Sequence, residues 1–232
     1  MKVLVVSDVV NKFLYSPQIK NIAANAELII SCGDLPEYYL DYLVSMLGKP
    51  LFYVCGNHDQ YDLKSQVSYF DTSNAKDFYQ TNLNYNNGSN FGGVNLDRKM
   101  MVVKGASFIG LEGSMRYNRG EHQYTEPEMK RKVFRIVPKM WWNKLRRGRF
   151  ADVLVTHSPP FGIHDMSDLP HKGFQAFVYF IEKFRPKYLL HGHVHLYDRN
   201  ISRTAEYMGT QIINCYDYQI IDIEIDTERE DG

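Results

Sequence analysis

Six side chains able to hold a divalent cation stand where short apolar runs stop: Asp8 after 4–6, Asp34 after 28–30, Asn57 after 50–55, His157 after 153–155, and His193 and His195 after 188–190. Two carboxylates, one amide oxygen and three imidazoles suit Mn²⁺, with Fe²⁺ or Zn²⁺ as alternatives, better than Ca²⁺ or Mg²⁺, which prefer oxygen throughout. Six donors are too many for one four-coordinate ion and fit two ions sharing a carboxylate. Paired ions about 3.5–4 Å apart clamp the attacking and leaving oxygens of an in-line phosphoryl displacement and lower the pKa of a bound water. The leaving oxygen still needs a proton. His58, within Gly56-Asn57-His58-Asp59, is placed to supply it as general acid.

A run of β-branched and aromatic residues ending in Gly-Asn or Gly-Asp reads as a buried strand leaving its sheet. Five such strands would deliver these groups to one rim, and in open α/β sheets ligands bind at the strands' carboxyl ends. A strand over 1–7, a helix over about 17–26 with Ser16 as N-cap and Pro17 at its first position, and a strand over 27–31 form a βαβ unit. A helix over 38–47, closed by Gly48, leads to the strand that ends at Cys55. Residues 82–95, rich in Asn and Gly, read as a turn-dense loop. Strands over 100–104 and 107–111 read as a hairpin. Thr125 and Glu128 form a capping box before a basic helical segment that Pro138 interrupts or kinks and Gly148 closes. A strand over 152–156 follows, and Pro159-Pro160 hold His157 on an extended loop. A helix over 173–184, a strand over 187–190 and antiparallel strands over 201–208, 211–215 and 219–225 complete the chain.

The 232 residues carry 27 basic and 27 acidic side chains, and this neutrality counts against a long nucleic-acid footprint. The balance is uneven, however. From Lys130 to Arg149 the chain is basic without an acid, around Trp141-Trp142. Such a run is ordinarily the solvated face of a helix whose tryptophans pack inward. The other reading is a grip on phosphate-rich partners or an anionic surface, which keeps a nuclease open. Cys32, Cys55 and Cys215 make neither an even framework nor a C-x-x-C pair and read as small buried hydrophobes, although Cys32 and Cys55 lie beside candidate ligands. No run approaches the roughly 20 apolar residues of a membrane span. The first apolar run meets Asp8 without a leader's cleavage pattern, so a cytoplasmic chain is expected. A single domain over 1–232 is expected, with 112–149 as a loop and helix insertion near the site.

Taken singly, an Asp at a strand exit is ordinarily a turn residue or cap and a lone His a satisfied polar group; their order changes that reading. Asp8-x-x, Gly33-Asp34, Gly56-Asn57-His58-Asp59, His157 and Gly192-His193-Val194-His195 together resemble the calcineurin-like metallophosphoesterase family. The resemblance implies a four-layer α/β/β/α sandwich of two mixed sheets. It also implies hydrolysis of a phosphodiester or phosphomonoester by a metal-bound hydroxide. In that pattern Asp34 bridges two ions, Asn57, His157 and His193 complete one site, and Asp8 and His195 belong to the other. Glu37 corresponds to the acid that orients His58, and Asp59 to a structural residue. One departure stands out: the family usually begins Asp-x-His, and here the order is Asp8-Val9-Val10. Val10 binds no metal, so the first site is weaker unless Asn11, Tyr15 or water substitutes. The expected substrate is a small phosphate ester such as a cyclic nucleotide, a nucleotide-type diester or a monoester. The alternative is a metal-binding interaction or scaffold protein of the same fold that has lost catalysis through Val10. His58 argues for the enzyme, since a scaffold needs no proton donor. His191 reads as a structural neighbour of the cluster, and His122, His164 and His171 fall in loops. Arg116, Tyr117, Arg119 and Arg199 are candidate substrate contacts.

Overall fold

Alternate side chains of β1 (Lys2–Ser7) enter two different cores: Val3 and Val5 pack on one face, Leu4 and Val6 on the other. A strand covered on both faces has no use for polar residues, which explains its uninterrupted apolar run. The computed structural model describes residues 1–61, 91–196 and 202–225. In a five-stranded sheet, β1 lies parallel to β2 (Leu28–Ser31), followed by β3 (Leu51–Tyr53) and β4 (Val94–Asn95), while β13 (Asp217–Asp222) pairs antiparallel on its other side. The six-stranded sheet has the order β11 (Thr204–Tyr207), β12 (Thr210–Asn214), β10 (Tyr188–His191), β9 (Val153–Thr156), β6 (Ala106–Leu111), β5 (Met100–Val103). Its four inner strands are parallel and its two edge strands antiparallel.

Between the sheets Val5, Ile30 and Phe52 meet Phe108, Val155 and Leu190, with the Phe52 and Phe108 rings 5.8 Å apart. On the outer face of the first sheet lie α1 (Ile19–Ile22) and α2 (Glu37–Leu47), whose Leu40 and Leu43 cover Leu4 and Ile29. On the outer face of the second lie α3 (Glu126–Arg147) and α4 (Gln175–Phe184), with Val133, Ile136, Phe177 and Phe180 over Ile109, Leu154 and Leu189. This is the α/β/β/α sandwich. A short parallel pair, β7 (Ser114–Met115) and β8 (Gln123–Tyr124), joins β6 to α3.

Several local expectations need correction. The helix expected over 17–26 is only the four residues of α1: Ser16 Oγ accepts the Gln18 N–H as an N-cap would, but residues 17–18 and 23–25 are turns. β4 forms inside the segment expected as a loop, although 82–90 lies outside the described residues. Pro138 does not interrupt α3, whose 22 residues run through to Gly148 in the left-handed conformation. Proline denies the Phe134 carbonyl its helical donor, but both residues are solvent-exposed, so water can satisfy that oxygen. Ile136 and Met140 on the opposite face hold the helix to the sheet. Trp141 and Trp142 do not pack inward; both are exposed. The last strand is antiparallel, as expected, and its partner lies at the other end of the chain. β13 returns to the first sheet, pairing Lys2 with Asp222 and Ser7 with Asp217, and the Met1 ammonium donates to the Ile223 carbonyl at 2.9 Å. Among the described residues no helix is long and apolar enough to cross a membrane.

Candidate metal centre

The loops leaving β1, β2, β3, β9 and β10 meet at one rim, and three of the side chains there sit on unfavourable backbone. Asp8, Asp34 and His193 have φ of 65°, 56° and 67°, a region that non-glycine residues enter at a cost. Hydrogen bonds hold them in it. Asp8 N–H donates to the Gly33 carbonyl at 3.1 Å, and His193 N–H donates to Asp8 Oδ2 at 2.9 Å. Asp34 N–H donates to Asp59 Oδ2 at 2.8 Å, and Asp59 also accepts from Leu35 at 3.1 Å and Gly56 at 2.7 Å. Glycine precedes Asn57 and His193 because a Cβ on Gly56 would strike the Asp34 carboxylate, and one on Gly192 would strike Asp8.

His157 is the buried hub of this arrangement. Its Nδ1 lies 2.7 Å from the Cys32 carbonyl, which only accepts, so Nδ1 carries a proton and donates it. Its Nε2 faces Asn57 Oδ1 at 3.1 Å and Asp34 Oδ2 at 3.4 Å. Asn57 is oriented from its other end, where Nδ2 donates to the Tyr117 hydroxyl at 3.1 Å. The rings of His157 and His193 are 4.7 Å apart, and Asp34, His157 and His193 each offer a ligand atom within 4.8 Å of the others. His193 Nε2 lies 2.8 Å from the Pro170 carbonyl. Beside them, His195 Nε2 stands 3.8 Å from Asp8 Oδ1. His58 is exposed, and its backbone N–H donates to Asp34 Oδ1 at 2.8 Å. Glu37, half-buried, is the first residue of α2.

The field at the rim draws in positive charge. Burial works against a charged His157, yet the Asp34 carboxylate and then Asp8 raise its pKa to about 9. Asp34 is likewise pushed up by burial and brought well below the usual carboxylate range by His157 and the His58 N–H. Burial and the neighbouring His157 together lower His193 to about 4. Burial, then His164, lowers His191 to about 3; its Nε2 lies 3.0 Å from His164 Nδ1, one layer behind the rim.

Other candidates lie elsewhere. Val10 packs into the apolar cluster under α2. Asn11 is spent on Asp217, at 2.8 Å, and on the N–H groups of Phe13 and Leu14, while Tyr15 packs edge-on against Tyr42 with ring centroids 4.6 Å apart. Arg116 pairs with Glu128 at 2.9 Å, Arg119 is exposed, and Arg199 lies outside the described residues. The three cysteines are buried and free. Two features escaped sequence reasoning. The Pro170 carbonyl is a backbone group and leaves no signal. Cys55, Glu112 and His122 converge beneath β7 and β8, but Glu112 already shares the Lys132 ammonium with Asp97, at 3.1 and 2.9 Å. Lys132 lies on the buried stripe with Met129, Val133 and Ile136, a period that would have marked it.

Comparison with known proteins places this geometry. The sequence pattern of calcineurin-like phosphoesterases matches residues 1–197. An uncharacterized protein of Methanocaldococcus jannaschii is 22% identical over 227 residues, 92% of this chain and 86% of its own. The crystal structure of TT1561 of Thermus thermophilus shares the fold, with a TM-score of 0.58 at 12% identity over 96% of this chain and 94% of that one. The match of the family pattern covers β1 to β10, with strands of both sheets, and runs past His195, the last residue of the rim, and the chain therefore belongs to the calcineurin-like phosphoesterase family, whose members bind divalent metals.

Proposed function

We propose that this protein is a metal-dependent phosphoesterase that hydrolyses a small phosphodiester or phosphomonoester at a dinuclear site. Asp34 would serve both ions, Asn57, His157 and His193 would complete one site, and Asp8 and His195 would serve the other. The observation that carries this reading is the meeting at His157. With the Nδ1 proton committed to Cys32, Nε2, Asn57 Oδ1 and Asp34 Oδ2 face one point, where the raised pKa of His157 keeps a proton on Nε2 that a metal ion would displace to leave three acceptors. Acceptors so arranged are satisfied by a cation, and a mixed nitrogen and oxygen set favours Mn²⁺, then Fe²⁺ or Zn²⁺. When bound, the ions supply charge for the phosphoryl oxygens and lower the pKa of the attacking water.

The protein's own groups do the rest. Cys32 fixes the tautomer of His157, as hydrogen-bonded neighbours do for metal-bound imidazoles. Tyr117, in the segment 112–149 that we read as an insertion beside the site, turns the Asn57 oxygen toward His157. His58 is tethered through its backbone to Asp34 and exposed to solvent, where it donates a proton to the leaving oxygen, with Glu37 orienting its ring. His58→Ala and Asn57→Ala should each cut hydrolysis of an aryl phosphate ester by about a hundredfold or more, while only Asn57→Ala lowers bound metal. Unchanged turnover in both variants would remove the proposed site.

A second reading rests on Val10. Because Val10 is packed in the apolar cluster and Asn11 and Tyr15 are engaged elsewhere, the first site has one donor fewer. A protein filled at one site and acting as a metal-binding interaction module would bind metal through Asn57 and show no turnover.

A further inference from the structure

α3 is apolar on two faces. Its inward residues Met129, Val133, Ile136 and Met140 are buried, yet Phe134, Trp141, Trp142 and Leu145 are 57%, 51%, 63% and 77% exposed. Their spacing puts these four on one outward stripe. Tyr179 of α4 widens it, with its ring 6.0 Å from Phe134. The flanks are cationic: Arg131, Arg135, Lys139, Lys144 and Arg146 are exposed, and no acidic residue occurs between Glu128 and Asp152. Beside Trp142 a groove of about 630 Å³ opens between α3 and β5, with Lys139, Arg146 and Arg147 among its lining.

We propose that this outward face of α3 docks the protein on an anionic lipid bilayer. Trp141, Trp142 and Leu145 would enter the boundary between headgroups and acyl chains, and the flanking cations would meet lipid phosphates. Charge complementarity selects an anionic surface. The aliphatic Leu145, the most exposed of the four, has no base to stack on and selects lipid over a nucleic acid. Helices that lie in a membrane interface combine Trp, Phe and Leu with Lys and Arg in this way. The tryptophan end of the face, Trp141 to Arg146, is also remote from the metal centre. Lys132, early in α3, touches Glu112 just past the end of β6 at the rim, whereas Arg149, just past α3, donates to Gly105 at the start of β6. Docking there leaves the rim open to solvent.

The chain's two tryptophans both lie on this face, so intrinsic fluorescence reports contact directly. The full-length protein is mixed with phosphatidylcholine vesicles, with or without phosphatidylglycerol, and followed by fluorescence and co-sedimentation. The proposal expects a blue shift and sedimentation with anionic vesicles only. Added salt should weaken binding, and the double variant Leu145→Glu, Arg146→Glu should weaken it more than about tenfold. Circular dichroism of that variant should be unchanged, since both side chains are exposed, as should hydrolysis of a soluble aryl ester. No binding to anionic vesicles would overturn the proposal. So would binding that the double variant retains, or a blue shift produced by single-stranded oligonucleotide or by self-association and not by vesicles.

Discussion

One carboxylate, Asp59, ties the exits of β2 and β3 together by accepting the N–H groups of Asp34, Leu35 and Gly56. Alanine there orphans two buried donors and a part-buried one, the buried pair at about 1–3 kcal/mol each, so Asp59→Ala should lose about 3 kcal/mol or more in urea unfolding. Its metal content should fall as well, because Asp34 loses its anchor; wild-type stability would contradict this role. The sequence marks Asp59 only as part of a motif, since its partners are backbone groups. Glu112 gives a pH prediction. Burial raises its pKa, but the hydrogen bond from His122, the charge of Lys132 and the Tyr124 hydroxyl outweigh burial and hold it at about 2, below the ordinary 4.5. A depressed carboxyl stabilises the folded state fully above its unfolded value and loses that contribution as pH falls from about 4.5 toward 2. Glu112→Gln should therefore flatten the fall in stability across that window, measured by denaturant unfolding at stepped pH. An unchanged slope would show that the carboxylate is not the group responsible.

Helix α3 shows how far pattern alone reaches at the level of an element. Its start was legible: Thr125 N–H donates to Glu128 Oε2 at 2.8 Å, and Gly148 ends the helix as its type suggests. Its continuity was not, because proline's local cost is offset by packing of Ile136 and Met140 that no local rule contains. Pro138→Ala should restore a helical N–H and raise stability by about 1–3 kcal/mol, read as an increase in Tm. A decrease would mean that the helix needs the proline's shape to fit the sheet. Lys132→Met tests the other face. It leaves Asp97 and Glu112 buried without their ammonium and should cost about 3–5 kcal/mol, the effect of removing one partner from a buried ion pair.

At the scale of the whole molecule, five strand exits and their order were readable, because a buried parallel strand needs a continuous apolar run and its polar cargo must sit just beyond it. Which sheet each strand joins was not. Gln219 to Ile225 alternates as an antiparallel strand should, yet nothing local says that β13 crosses back to pair with β1. The resemblance to a known family, more than periodicity, implied two sheets. The site follows the same division: the ligand types stand in the sequence, whereas the tautomer lock at Cys32 and the Tyr117 clamp on Asn57 arise only when distant segments meet. The proposed activity is metal binding by these groups and hydrolysis of a phosphate ester. It is tested most directly by turnover of an aryl phosphodiester and the matching monoester across a Mn²⁺ titration, with Asp34→Asn alongside. Saturable, metal-dependent hydrolysis of at least one ester, reduced by about a hundredfold or more in Asp34→Asn, is the predicted result. Hydrolysis that ignores metal, equal turnover in Asp34→Asn, or no turnover at any Mn²⁺ concentration would contradict it.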